Sequence, residues 1–256
     1  MLNIDGIKVH YFDTGSGETV LFLHGWGTDF LSFKPFLEAL APYYRTCAVD
    51  LPGFGQSDEP PDAWAVDDYG DFVLNFMTRL GIRRVILIGH SFGGRIIIKL
   101  AARRDLPVTI TKIVLINSAG IRPKKTIRQR VRLFIYRGVK GIISLGGIKK
   151  RFPGLQEAWR RKHGSPDYLA ASPRMRECLI RVINEDLTPS LGSIPCPALL
   201  LWGAEDEETP LADGKLMERL IPDAGLVTLE KAGHYSFLDE PYVFSRVLDS
   251  FLNIKR

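Results

Sequence analysis

Cysteine is scarce in this chain: Cys47, Cys178 and Cys196 are the only three in 256 residues, and none is spaced as C-x-x-C. An odd, scattered set argues against a disulfide framework or a zinc site and suits a reducing compartment. No apolar run approaches the roughly 18 residues of a membrane span. The opening MLNIDGIKVHYFD carries charges where a signal peptide needs an apolar stretch, so a cytoplasmic location is expected. Internal repeats, low-complexity tracts and an excess of glycine or proline are lacking too, which excludes fibrous, solenoid and disordered classes. With 45% hydrophobic and 25% charged residues, the composition is that of a folded soluble protein.

Six short apolar runs recur, each followed by turn residues: TVLFLHG (19–25), RTCAVD (45–50), RVILIGH (84–90), KIVLINS (112–118), ALLLWG (198–203) and LVTLEK (226–231). They lack polar alternation, as strands do when helices cover both faces of a parallel sheet. Helical patterns fall at 30–40, 67–80, 92–103, 211–220 and 242–251. The expected fold is therefore α/β, a mainly parallel central sheet flanked by helices. The segment IKVHYFD, the turn TGSGE and TVLFLHG read as an opening hairpin that adds an antiparallel edge.

The alternation stops between about 120 and 191. Residues 121–190 hold 17 Lys and Arg against 5 Asp and Glu, whereas the rest of the chain holds 17 against 24, so the net +5 conceals two opposite regions. Residues 1–120 and 191–256 form the expected core, and 121–190 a helical, basic insertion.

The segment GHSFGG (89–94) follows the strand VILI and opens the helical run FGGRIIIKLAARR. A serine on a tight strand-to-helix turn needs small neighbours two positions away, here Gly89 and Gly93, and presents its hydroxyl at a helix N-terminus. That makes Ser91 the candidate nucleophile and the N–H of Phe92 a donor to developing negative charge. A second donor is expected from Trp26 in the turn HGWG (24–27).

Serine needs a base. Of five histidines, His10 lies in the opening strands, His24 in the turn after the second, His90 beside the nucleophile and His163 in the basic insertion. His234, in the loop after the last apolar strand, is left as the base by position. The carboxylate that orients it should follow a strand between serine and histidine. Asn117 stands where one might have followed KIVLI, so the acid falls among Glu205, Asp206, Glu207 and Glu208.

HGWG, DLPGFGQSD (50–58), GHSFGG, LLLWGAEDEETP (200–210 with its preceding leucine) and AGHYSFLDEP, in that order, resemble the α/β-hydrolase superfamily. The family pattern W-G-x-x-D, matched at Trp202 and Gly203, implies Asp206 as the acid. The resemblance implies an esterase, lipase or haloperoxidase-like serine hydrolase, with residues 121–190 as the helical cap. Serine rather than aspartate at the elbow separates the chain from haloalkane dehalogenases and epoxide hydrolases. Carbon–carbon hydrolases of this fold commonly carry asparagine before the serine, where this chain has His90, and are the second expectation. Some members act as slow-turnover small-molecule receptors, which is the third.

The expected partner is a small acyl substrate, with no metal or organic cofactor. In KKTIRQRVRLFIYRGVKGIISLGGIKKRF (124–152), Ile127, Val131, Phe134 and Ile135 fall at helical spacing among Lys and Arg. An amphipathic cationic face suits contact with an anionic membrane surface, whereas nucleic acid is not expected, since no recognition motif accompanies the charge. Arg122, Phe134 and Trp159 are the candidate substrate-binding residues.

Overall fold

Runs of apolar residues at every strand position demand cover on both faces, and in a computed structural model of the chain they have it, except for the last run, 226–231, which lies at the sheet edge with only Leu229 buried. The residues described are 1–122, 154, 161 and 165–255. The strands are β1 (Leu2–Ile4), β2 (Ile7–Val9), β3 (Tyr11–Thr14), β4 (Thr19–Leu23), β5 (Arg45–Val49), β6 (Arg84–His90), β7 (Thr109–Ile116), β8 (Ala198–Gly203) and β9 (Ala224–Leu229). β3 to β9 form one seven-stranded sheet of order β3-β5-β4-β6-β7-β8-β9, parallel except for the β3–β5 pair.

Successive side chains alternate between two cores. Leu21 and Leu23 of β4 and Val85 and Leu87 of β6 face one core. Val20 and Phe22, with Ile86 and Ile88, face the other. The first core is closed by α2 (Val66–Arg79), through Phe72 and Phe76, by α3 (Phe92–Ala101) and by Met217 of α7 (Leu211–Leu220). The second is closed by α1 (Lys34–Leu40) and by Phe244 and Leu248 of α9 (Pro241–Leu252). Each such side chain contributes about 1.5–3 kcal/mol by leaving water.

The expected opening hairpin is not formed. β3 pairs antiparallel with β5, and β4 lies inside the sheet between β5 and β6. The fully buried TVLFL needs a parallel neighbour on each side, whereas YFDT exposes its last two residues and suits an edge. The hairpin that does form is β1–β2, turned at Asp5 and Gly6, both at positive φ. The helical pattern at 30–40 divides at Pro35 into a 3-10 turn (Phe30–Phe33) and α1.

After β7 the described residues form α4 (Pro166–Ala170), α5 (Pro173–Asn184) and α6 (Thr188–Leu191). α5 buries Met175, Cys178 and Val182 in the first core. Its end is fastened to α3: Arg95 Nη1 donates to Glu185 O at 2.7 Å, and Lys99 Nζ lies 2.6 Å from Glu185 Oε1. α8 (Ser236–Asp239) precedes α9. Among the described residues no helix is long and apolar enough to cross a membrane.

Candidate active site

β6 ends at His90 and α3 begins at Phe92, so Ser91 alone makes the turn. It does so at φ 49 and ψ −105, a conformation that costs a non-glycine residue about 1–3 kcal/mol and persists because the surroundings enforce it. They do: Ser91 N–H donates to Ile116 O at 3.0 Å, and Ser91 O accepts from Arg95 N–H at 3.2 Å and Ala119 N–H at 3.0 Å. A Cβ on Gly93 would lie 2.0 Å from Leu23 O, and one on Gly89 2.6 Å from the backbone of Gly93, so helix and strands approach too closely for any side chain at either position.

Phe92, as the first residue of α3, has an N–H without an intrahelical acceptor. The HGWG turn lies beside it: a Cβ on Gly25 would be 3.5 Å from Ser91 Cβ, and the Trp26 ring packs edge-on against Phe92 at 5.3 Å. His24 shapes this turn. Leu51 N–H donates to His24 Nε2 at 2.9 Å, which fixes the hydrogen on Nδ1, and Nδ1 donates to Gly25 O at 2.7 Å. Burial pushes the His24 pKa down and keeps the ring neutral. Asp50, at the end of β5, holds the facing turn by accepting from Phe30 N–H, Gln56 N–H and His10 Nδ1. A groove of about 870 Å³ runs from Trp26 between the turns, lined by Phe54, Asp167, Ala171 and Met175.

The loops after β8 and β9 bring Asp206 and His234 together. His234 Nδ1 donates to Asp206 Oδ2 at 2.9 Å, with side chains 8% and 0% exposed. Trp202 fixes the acid's loop: its buried indole Nε1 donates to Thr209 O at 2.7 Å. Asp206 also accepts from Thr209 Oγ1 at 2.7 Å, Thr209 N–H at 3.0 Å, Glu208 N–H at 2.8 Å and Asn117 Nδ2 at 2.6 Å. Burial opposes its ionisation, but the hydrogen bonds from His234, Thr209 and Asn117 outweigh burial and hold the carboxyl well below the usual range. Of the four acids in this loop, Asp206 alone meets the Nδ1 of His234; Glu208, 70% exposed, comes within 3.4 Å of Nε2. Among the described residues Ser91 Oγ makes no hydrogen bond to His234.

Ser91, Phe92, Trp26, Asp206 and His234 thus lie on strand ends or following loops at one edge of the sheet, the side on which parallel α/β sheets bind ligands. Arg122 is exposed, and its N–H and charge are directed at Asp186, whose carboxyl is lowered, against burial, by Thr188 and then by Arg122. Phe134 and Trp159 lie outside the described residues. Sequence reasoning assigns no part in the site to His90, Asn117, Thr209 or Ser236; all are buried polar residues, and His90 and Asn117 are signalled by polarity at the end of an apolar run. No group of three or more His, Cys, Asp or Glu side chains arranged to hold a metal ion occurs among the described residues.

A sequence model of the Alpha/beta hydrolase family matches residues 20–247. The chain is 27% identical to "Uncharacterized hydrolase YugF" of Bacillus subtilis (strain 168), over 97% of this chain and 96% of that one. It is 26% identical to a 2-hydroxy-6-oxo-6-phenylhexa-2,4-dienoate hydrolase of Comamonas testosteroni, over 98% and 93%. Its fold is similar to that of a thermophilic esterase from Thermogutta terrifontis, with a TM-score of 0.72, 25% identity, and 96% and 93% of the two chains covered.

Proposed function

The chain belongs to the alpha/beta hydrolase family, and from that premise we propose that it is a serine hydrolase cleaving a carboxylic ester or similar acyl substrate. The observation that carries this reading is one juxtaposition. A serine held at φ 49 on the turn into α3 shares its sheet edge with a histidine whose Nδ1 is 2.9 Å from a buried aspartate.

In the proposed mechanism, Ser91 Oγ attacks the substrate carbonyl while His234 Nε2 takes the hydroxyl proton; hydrogen bonds of this kind tighten when substrate binds. The ionised Asp206 keeps the hydrogen of neutral His234 on Nδ1 and stabilises the imidazolium that forms. The N–H groups of Trp26 and Phe92 receive the oxyanion, each contributing roughly a hundred- to a thousandfold. His234 then protonates the leaving group, and water, deprotonated by the same imidazole, hydrolyses the acyl-enzyme. The insertion between β7 and β8 is the proposed cap, and of its expected substrate contacts Arg122 is turned instead toward Asp186.

The relative from Comamonas testosteroni supports a second reading, hydrolysis of a carbon–carbon bond. Both readings share the nucleophile and differ in substrate. Intact-protein mass after a fluorophosphonate probe, with wild type and Ser91→Ala, tests the shared part: labelling that depends on Ser91 is expected, and its absence would sink both. Initial rates on p-nitrophenyl esters, beside loss of absorbance of a ring-fission dienoate, separate them.

A further inference from the structure

His90 precedes the nucleophile and is 2% exposed. Its Nε2 is 2.8 Å from the backbone oxygen of His234, 144 positions away in the chain. We propose that His90 is a positioning residue for the base, fixing the backbone of His234 to the nucleophile's own turn so that Ser91 and His234 are held as one unit. The proposal rests on the serine-hydrolase reading above.

A carbonyl oxygen only accepts, so the bond places the ring hydrogen on Nε2 and leaves Nδ1 bare. Nδ1 faces the oxyanion turn, where a Cβ on Gly25 would lie 2.8 Å from it. The ring is thereby wedged between the two parts of the site that must stay in register. Its faces are closed by His234, Tyr235 and Phe237, with ring centroids 4.8, 5.0 and 5.3 Å away. The preceding carbonyl, of Gly233, is gripped from the next strand end by Asn117 Nδ2 at 3.2 Å. β6 and β7, paired at His90 and Ile116, therefore hold two successive carbonyls of the base's loop.

The imidazole is also kept uncharged. Burial, then the neighbouring His234, push the His90 pKa down to about 3. A neutral His90 keeps its donor through the cycle and adds no second positive charge when His234 becomes an imidazolium between Asp206 and Glu208. It is not itself a base: the nitrogen nearest the base's loop already carries its hydrogen.

The test separates the donor from the ring. His90→Phe and His90→Leu keep apolar bulk without a donor, whereas His90→Gln places an amide N–H near Nε2. On p-nitrophenyl acetate we expect His90→Phe to lower kcat by roughly ten- to a hundredfold with KM within about twofold, because a misplacement of about 1 Å costs that much. His90→Gln should stay within about threefold of wild type. Equal loss in Phe and Gln variants, or none in the Phe variant, would overturn the proposal, and the Leu variant replaces the Phe variant if the latter does not fold. A wild type that neither labels with fluorophosphonate nor turns over ester refutes the hydrolase reading, and imidazole nitrogen NMR then decides on His90 by itself. A neutral, Nε2-protonated ring from pH 5 to 8, with His234 resonances displaced in His90→Phe but not in His90→Gln, is expected. A hydrogen on Nδ1, or an unperturbed His234, refutes the clamp.

Discussion

Asn117 donates its side-chain amide to Asp206, Nδ2 to Oδ2 at 2.6 Å, from the end of β7 to the loop after β8. The same amide oxygen accepts from Ser236 Oγ at 2.5 Å, so one buried side chain, at φ 44, ties the acid's loop to the base's loop. Asn117→Ala leaves the Ser236 hydroxyl and the Gly233 carbonyl without this partner, at about 1–3 kcal/mol for an unsatisfied buried group. We expect urea unfolding to show a loss in that range, and ester turnover to fall by roughly tenfold with little change in KM. Asn117→Asp sets two carboxylates where only one can ionise, so one takes up a proton on folding. A carboxyl raised above its unfolded value stabilises at low pH and loses that contribution as pH rises. This variant should therefore be closer to wild type in stability at pH 5 than at pH 8.

Ser91 gives the opposite result at its own site. Its φ of 49 and ψ of −105 are held by the three backbone hydrogen bonds around it rather than by its side chain. Glycine adopts this region freely. Ser91→Gly should therefore abolish fluorophosphonate labelling and ester turnover while stabilising the fold by about 1–3 kcal/mol. In a chain of this size that is a rise in Tm of roughly 2–6 °C by calorimetry. A fall in Tm would show that the serine side chain, not the surrounding backbone, supports the turn.

What was legible in the sequence was local. The elbow could be read because a strand, a glycine-spaced serine and a helix are contiguous, and Gly89 and Gly93 answer contacts within the same turn or with the adjacent strand end. The buried strands could be read because an apolar residue at every position leaves no other environment. What failed was pairing. β3 and β4 are neighbours in sequence, yet β3 pairs with β5, a choice made by which strand can tolerate an edge. From sequence alone His90 is excluded as the base and Asn117 as the acid, and neither acquires another role. Their partners lie 144 and 89 positions away, and no spacing rule reaches that far.

Neutral burial of His90 has a consequence for stability, whatever the reaction. Its pKa is about 3 in the folded chain against an ordinary 6.5. Between those values the unfolded chain binds a proton that the folded chain does not, so stability falls on acidification by up to about 1.4 kcal/mol per pH unit. The buried His24, also lowered, adds to the loss, and so does Asp206 below its unfolded value. Replacing His90 with Gln removes one of these groups alone. From pH 6.5 to pH 5 the wild type should lose about 1.6 kcal/mol more than His90→Gln in urea titrations. Parallel losses would mean that His90 is protonated in the folded chain.

The groove beside Trp26 bears on which acyl or alcohol groups are accepted. It begins at the expected oxyanion donor and passes Phe54, Ala171 and Met175, with Asp29, Glu59 and Asp167 also on its walls, and encloses about 870 Å³. A p-nitrophenyl acetate molecule has no atoms to reach its far end, whereas an octanoate chain does. Ala171, half-buried on the wall, has room for a larger residue only at the groove's expense. Ala171→Phe should therefore leave kcat/KM on acetate within about twofold. On octanoate it should lower kcat/KM by roughly ten- to a hundredfold, the value of a few lost methylene contacts at about 0.8 kcal/mol each. Equal effects on both esters would place the bound chain elsewhere, and the groove would then have no part in discriminating substrates by length.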